Sequence, residues 1–213
     1  MKVSSEKPEA ALIAQAVHIL KKGGIVAYPT ETFYGLGVDG HNEHAIEKVF
    51  RIKGRNFKNP IPIIIGNTKD LVTLVVDIQE YSQTLLQRFW PGPLTMVFMA
   101  SLNVSSLLTA STGKIGIRIS RNPIATALAT SLTHPITATS ANPSGQTECT
   151  TASEVIQCIG HDIDMVIDGG PTPGVMGSTI LDVTAFPPVI LREGVIPASR
   201  IFSSIRDSHK NRG

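Results

Sequence analysis

The sequence predicts an α/β fold, a twisted mixed sheet flanked by helices and read as one domain over residues 1–206, and two observations predict it. Short apolar runs of strand length alternate with longer stretches of helical spacing. The alternation is irregular, without the even beat of a doubly wound parallel sheet, so strands of both directions are expected.

The elements follow in order. Residues 9–22 predict a helix, with Leu12, Ile13, Ala16, Val17, Ile19 and Leu20 at helical spacing and Gly23-Gly24 closing it. Ile25, Val26 and Ala27 make a buried strand, and Pro29 ends its ladder. The strand runs into Thr30, Glu31, Thr32 and Tyr34, a turn dense with hydroxyls, where Gly35 and Gly37 let backbone approach a neighbour closely. This stretch, 23–37, reads either as a strand with a polar turn or as the strand-end position where α/β sheets bind ligands. Asn42 is an N-cap for a helix with Ala45, Ile46, Val49 and Phe50 on one stripe, stopped by Gly54. Lys53 and Arg55 at its end either terminate the helix favourably or serve a site.

Strands are predicted at 61–65 and 94–100, with a short helix from Thr68 and another over 78–90 ended by Pro91-Gly92-Pro93. Residues 101–112 are a loop or short helix. Over 115–120 strict alternation puts Ile115, Ile117 and Ile119 on one face and Gly116, Arg118 and Ser120 on the other. An arginine there needs an anion, from a structural Asp or Glu or from a ligand. Asn122-Pro123 opens a helix, and 135–140 is a strand ending in Thr139-Ser140-Ala141-Asn142-Pro143-Ser144-Gly145. A helix at 151–159, strands at 165–167, 178–183 and 189–192, and a final helix at 197–205 complete the order. The loop 171–177, with two prolines and two glycines, is shaped to close over something, and 207–213 is expected to be a mobile tail.

Composition excludes several classes. With 42% hydrophobic and 17% charged residues the 213-residue chain is an ordinary globular one, and no apolar run approaches the ~20 residues of a membrane span. With Glu6 and Glu9 and no uninterrupted apolar core, the first residues do not read as a leader, so a cytoplasmic protein is expected. Cys149 and Cys158 match neither a CxxC motif nor a zinc knuckle, and His41 and His44 lack a third ligand nearby, so no protein metal site is expected. A net charge of +2 does not by itself declare a nucleic-acid binder. Its distribution is uneven: Lys48, Arg51, Lys53, Arg55, Lys58 and Lys69 lie in a span with no acid between Glu47 and Asp70.

Taken together, PTETFYGLG at 29–37, IKGR at 52–55, GIRIS at 116–120, TSANPSG at 139–145, STILD at 178–182 and ILREG at 190–194 form an ordered set. That set resembles the YrdC-like family of L-threonylcarbamoyladenylate synthases, from about residue 10 to about residue 200. The resemblance implies an open twisted α/β sheet with a basic concave face, of the single-domain type. It implies an enzyme, a nucleotidyltransferase joining L-threonine, bicarbonate and ATP into threonylcarbamoyl-AMP and pyrophosphate. The product feeds the threonylcarbamoyladenosine modification of tRNA through a downstream transferase complex, and tRNA or double-stranded RNA is a further partner.

By the same matching Lys53 and Arg55 are the catalytic cations. Arg55, Asn59, Ser140, Asn142 and Arg192 reach the nucleotide, with Lys114 and Glu148 at or near other nucleotide contacts. Thr32, Arg118 and Ser178 line the threonine site, with Ala138 beside them. Two departures stand out: Asn56 replaces a common proline, and Ile64 replaces a histidine that touches threonine in some members, which could change how that pocket is lined.

The chemistry suits these residue types. A carbamate formed on threonine's amine attacks the α-phosphate; being anionic, it needs no Ser-His-Asp apparatus. Positioning and charge neutralisation then supply catalysis. Mg²⁺ is expected with ATP, held by phosphates and water, and no GxxxxGK[ST] loop is present. The alternatives are a paralogue on the same fold activating another carbamoyl or acyl group, and a non-catalytic RNA-binding module. Glu31 either orients Lys53 or caps its turn.

Overall fold

Two sheets, rather than one, carry the strands, and the segment that joins them carries the cleft described below. The computed structural model describes residues 1–210. Helix α1 (Ala10–Lys21) leads to β1 (Val26–Pro29) and β2 (Tyr34–Gly37), which pair antiparallel with Val26 opposite Gly37 and Pro29 opposite Tyr34. Every residue of both strands is buried. Ala27 faces a core that includes Leu36 and Phe50, while Val26 and Tyr28 face a second core with Leu20 and Leu128. Burial on both sides is why this run shows no polar alternation.

Helix α2 (Glu43–Lys53) is capped by Asn42, whose side chain accepts from the Ala45 N–H, and stops at Gly54 in the left-handed region with φ 55°. Only glycine takes that conformation without strain, so the chain turns sharply and sets Lys53 and Arg55 on either side of the bend. Strand β3 (Ile63–Ile64) is shorter than the predicted 61–65. Pro60 and Pro62 bring no N–H, Ile61 donates to the Leu108 carbonyl, and Ile65 donates to that of Arg118.

A 3₁₀ turn (Thr68–Asp70) capped by Asn67, α3 (Leu71–Leu74), α4 (Glu80–Phe89) and β4 (Leu94–Met99) follow. Next come α5 (Ser106–Thr109), β5 (Lys114–Arg118) and α6 (Pro123–Leu132), the last capped by Asn122. Strands β6 (Ile136–Thr137) and β7 (Thr139–Ser140) replace the single strand expected at 135–140. Helix α7 (Ala152–Ile159) opens on a Thr151–Glu154 capping box, and β8 (Met165–Val166), β9 (Thr179–Asp182), β10 (Val189–Arg192) and α8 (Ala198–Lys210) complete the chain.

The smaller sheet has the order β7-β2-β1-β8 and the larger β10-β9-β4-β5-β3-β6, each with parallel and antiparallel pairs. The split of 135–140 decides the architecture. Ile136 and Thr137 pair with β3 in the large sheet, Thr139 and Ser140 pair with β2 in the small one, and between them the Ala138 N–H donates to the Pro62 carbonyl. Thr137 pins the crossing: its hydroxyl accepts from the Val38 N–H at 3.0 Å and donates to the Leu36 carbonyl at 2.9 Å.

Helix α8 continues past residue 206 to Lys210, and Asp207 lies 3.8 Å from Arg88 of α4. Residues 211–213 of the expected tail lie outside the described residues.

Candidate functional site

The turn after β1 is held by its own hydroxyls. Thr30 Oγ1 donates to the Phe33 carbonyl at 2.7 Å, accepts from the Thr32 N–H at 3.1 Å and lies 3.0 Å from Thr32 Oγ1. The glycines of β2 serve packing as well: a Cβ on Gly37 would meet Ile136 at 2.6 Å and the Tyr28 ring at 2.7 Å. With the turn so fixed, the Glu31 carboxylate accepts from Arg118 Nη1 and from Ser120 Oγ, two very short contacts made by the polar face of β5 and its continuation. The anion that Arg118 requires is therefore at least partly supplied by Glu31, which neither orients Lys53 nor merely caps its turn.

Where the two sheets meet lies a cleft of ≈ 190 Å³. Thr32 and Tyr34 wall it from the small sheet, Ala138 and Ser140 from the crossing segment, and Ser178 from the start of β9. Arg55, Arg118 and Arg192 converge on it, with Glu148 at its edge. A larger hollow of ≈ 980 Å³ near 100–113 has no arginine or lysine in its lining, so charge rather than size distinguishes the cleft.

The guanidinium groups of Arg55 and Arg192 are held by neutral oxygens. Arg55 donates to the carbonyls of Pro60 at 2.7 Å and Asn59 at 3.2 Å. Arg192, placed by a bulge in β10, donates to the Ser178 carbonyl at 2.8 and 3.3 Å. Ser178 Oγ in turn lies 2.9 Å from Thr95 Oγ1. Burial and then the charge of Arg192 push the Arg55 pKa down; Arg192 is lowered by burial and by Arg118, against Glu148, which raises it. Mutually repelling cations held in a cleft are poised for an anionic ligand.

Lys53 is not among the residues that line the cleft. It is 3% exposed, and its ammonium donates to the carbonyls of Ser140 and Asn142, each at 2.6 Å. Burial, then repulsion from Arg55, lowers its pKa to about 8. It braces the 140–142 turn from behind the cleft, and Asn142 is part of that brace, donating to the Gln146 carbonyl at 2.7 Å.

Thr32, Arg55, Arg118, Ala138, Ser140, Glu148, Ser178 and Arg192 thus meet in the cleft. The others do not line it. Ile64 is buried in the second core, Lys114 pairs with Asp182 at 2.8 Å, and Asn59 supplies a carbonyl to Arg55. Thr30, Tyr34 and Gly35 line the cleft in addition, and their place within the 29–37 motif was the signal for them. Thr139, within the 139–145 motif, lines it too, and Pro62 joins them because the crossing segment lies against it, the Ala138 N–H donating to its carbonyl.

The loop 171–177 is tethered through its first half. The Thr172 N–H donates to the Thr150 carbonyl and the Gly174 N–H to that of Thr32, leaving Val175 exposed and Gly177 at the cleft.

A hydroxyl-walled cleft with three guanidinium groups at the junction of two mixed sheets defines an α/β protein suited to a compact, highly charged anion. The family Sua5_yciO_yrdC, described as "Telomere recombination", matches residues 18–194. The chain belongs to this family.

Its relatives include the threonylcarbamoyl-AMP synthase of Pyrococcus abyssi, 38% identical over 196 residues covering 92% of this chain and 58% of that protein. The enzyme of the same name from Bacillus subtilis is 37% identical over 94% of this chain and 58% of its own length. The chain thus spans little more than half of these two, whereas it covers 86% of the Vibrio vulnificus threonylcarbamoyl-AMP synthase, at 39% identity over 74% of this chain. Among solved structures, P. abyssi Sua5 complexed with L-threonine superposes with a TM-score of 0.92 at 37% identity, over 96% of this chain and 61% of that one. E. coli YciO superposes at 0.87 and 28% identity, over 94% and 98% respectively. No helix among the described residues is long and apolar enough to cross a membrane.

Proposed function

We propose that this chain is a threonylcarbamoyl-AMP synthase, joining L-threonine, bicarbonate and ATP into threonylcarbamoyl-AMP, pyrophosphate and water. The observation that carries the reading is the convergence of Arg55, Arg118 and Arg192 on one cleft whose walls also carry the hydroxyls of Thr32, Tyr34, Ser140 and Ser178. The names of the relatives agree with it.

Threonine sits at the Thr32, Arg118 and Ser178 end, and the triphosphate at the Arg55, Ser140 and Arg192 end. Threonine's amine, as the free base, adds to carbon dioxide formed from bicarbonate and loses a proton, giving a carbamate. A carbamate oxygen attacks the α-phosphorus, and the bond to pyrophosphate breaks. Nucleophile and target are both anionic, so the residues' task is to neutralise and align them. Arg55 and Arg192 suit this because their partners in the cleft wall are neutral carbonyls, which position the charge without cancelling it. Arg118, one nitrogen of which is engaged by Glu31, presents the rest of its fork to threonine's carboxylate. Lys53 acts indirectly, by fixing the backbone at Ser140.

Glu148 is the carboxylate of the cleft lining, which suits a Mg²⁺ ion carried in mainly by phosphates and water. That ion would offset phosphate charge. A basic concave face, product hand-over to a tRNA-modifying transferase and a cytoplasmic setting complete the reading.

Pyrophosphate release, with each component omitted in turn, tests it. Release that requires both threonine and bicarbonate is expected. Release with another amino acid in place of threonine would favour the paralogue, and tight RNA binding without any ATP turnover would favour the binding module.

A further inference from the structure

Away from the cleft, the fold assembles three metal-ligating side chains that the sequence scatters. Asp39 follows β2, His41 precedes α2, and His134 lies in the turn between α6 and β6. Taken in sequence, His41 has only His44 as a neighbour, and a histidine pair makes no site. In the fold its ring instead lies 4.4 Å from that of His134, centroid to centroid, and one donor atom from each of Asp39, His41 and His134 falls within 4.8 Å of the others.

We propose that Asp39, His41 and His134 form a binding site for a divalent transition-metal ion of the zinc type. The carboxylate is buried and already fixed. Its Oδ1 accepts from the His41 N–H at 2.9 Å, and its Oδ2 faces His134 Nδ1 at 3.0 Å. Donors about 2.0–2.2 Å from one ion stand roughly 3.0–3.5 Å apart, so this pair can take a metal in place of the shared proton almost without moving. The backbone beneath is pinned as well. Asp39 bridges Ile136, and the Gly40 N–H donates to the Pro135 carbonyl at 2.8 Å, an approach so close that a Cβ on Gly40 would lie 2.9 Å from that oxygen. His41, on the surface, needs only a side-chain rotation to close the third position, and water completes the shell. Two imidazoles and one carboxylate favour Zn²⁺, Co²⁺ or Ni²⁺ over Mg²⁺ or Ca²⁺, which take oxygen donors. The bound ion would tie the start of α2 to the α6–β6 turn.

The test is calorimetric titration of the chelator-treated full chain with Zn²⁺, with Mg²⁺ as the comparison ion. Co²⁺ absorption then reports the donor atoms. One equivalent of Zn²⁺ is expected, weakened at least tenfold by His134→Ala and by His41→Ala and unchanged by His44→Ala. Both altered rings are at least partly exposed, so the variants should fold. The Co²⁺ spectrum should lack a thiolate charge-transfer band, which separates this site from Cys149 and Cys158. Absence of a saturable equivalent, unchanged affinity in the His41→Ala/His134→Ala double variant, or a thiolate band would each overturn the proposal.

Discussion

Substitution of Glu31 by glutamine probes the most consequential contact in the molecule. The side chains of Arg118 and Glu31 are 6% and 12% exposed, so water screens their attraction little. Removing one partner of such a pair costs about 3–5 kcal/mol, because the other charge is left buried. Glutamine keeps an oxygen for Ser120 or Arg118 and loses only the charge, which brings the expected loss to about 2–3 kcal/mol. In a chain of 213 residues each kilocalorie moves the unfolding midpoint by about 2–4 °C, so Glu31→Gln should melt roughly 4–12 °C below the parent. Under the proposed function, threonine would supply a new carboxylate to Arg118. Saturating L-threonine should therefore raise the midpoint of Glu31→Gln more than that of the parent. Pairing Glu31→Gln with Arg118→Met should cost less than the sum of the single changes, since the orphaned charge is then gone. A Glu31→Gln midpoint within about 1 °C of the parent, or strict additivity in the double variant, would refute the reasoning.

Arg55→Ala should lower turnover by about 10²-fold or more, because charge aimed at the phosphates is removed, while far-UV circular dichroism stays that of the parent; near-normal turnover would count against its role. Lys53 offers a pH test. With a folded pKa of about 8, below the unfolded value of about 10.4, the folded state binds fewer protons between those limits, so this group's contribution to stability is unfavourable and level below pH 8 and improves as pH rises to about 10.4, by roughly 3 kcal/mol. Tyr34 and Cys149, both raised to about 12 by burial first, act in the opposite sense, so the measurement is the difference in slope between the parent and Lys53→Met; equal slopes would remove Lys53 from the account. The arch 171–177 should resist protease when ATP and threonine are both present, and identical cleavage with and without them would show that it is no lid.

Helix boundaries were legible because their signals are local. Asn42 and Asn122 cap the helices that follow them, and Gly54 adopts the left-handed turn that stops α2. The alternation of 115–120 was equally direct: Ile115, Ile117 and Ile119 lie in the core, and Arg118 and Ser120 share the opposite side. The single strand at 135–140 was the instructive failure. Its alternation of Ile136 and Ala138 with Thr137 and Thr139 runs on without a break, and only the neighbours on each side, β3 for Ile136 and Thr137 and β2 for Thr139 and Ser140, decide that it serves two sheets.

By itself, then, the sequence determined the α/β class, the capped helices and the ordered motifs, since each depends on residues a few positions apart, and the resemblance of those motifs to the family named most of the polar side chains of the cleft. Tertiary structure decided which charges meet. That Arg118 finds Glu31, that Lys53 lies behind the wall on two carbonyls, that Ile64 is core, and that His134 reaches Asp39 and His41 are all results of long-range pairing. Such contacts join residues about ninety positions apart or lie on shared sheet faces. Their energies depend on burial and distance, quantities that exist only once the chain has folded.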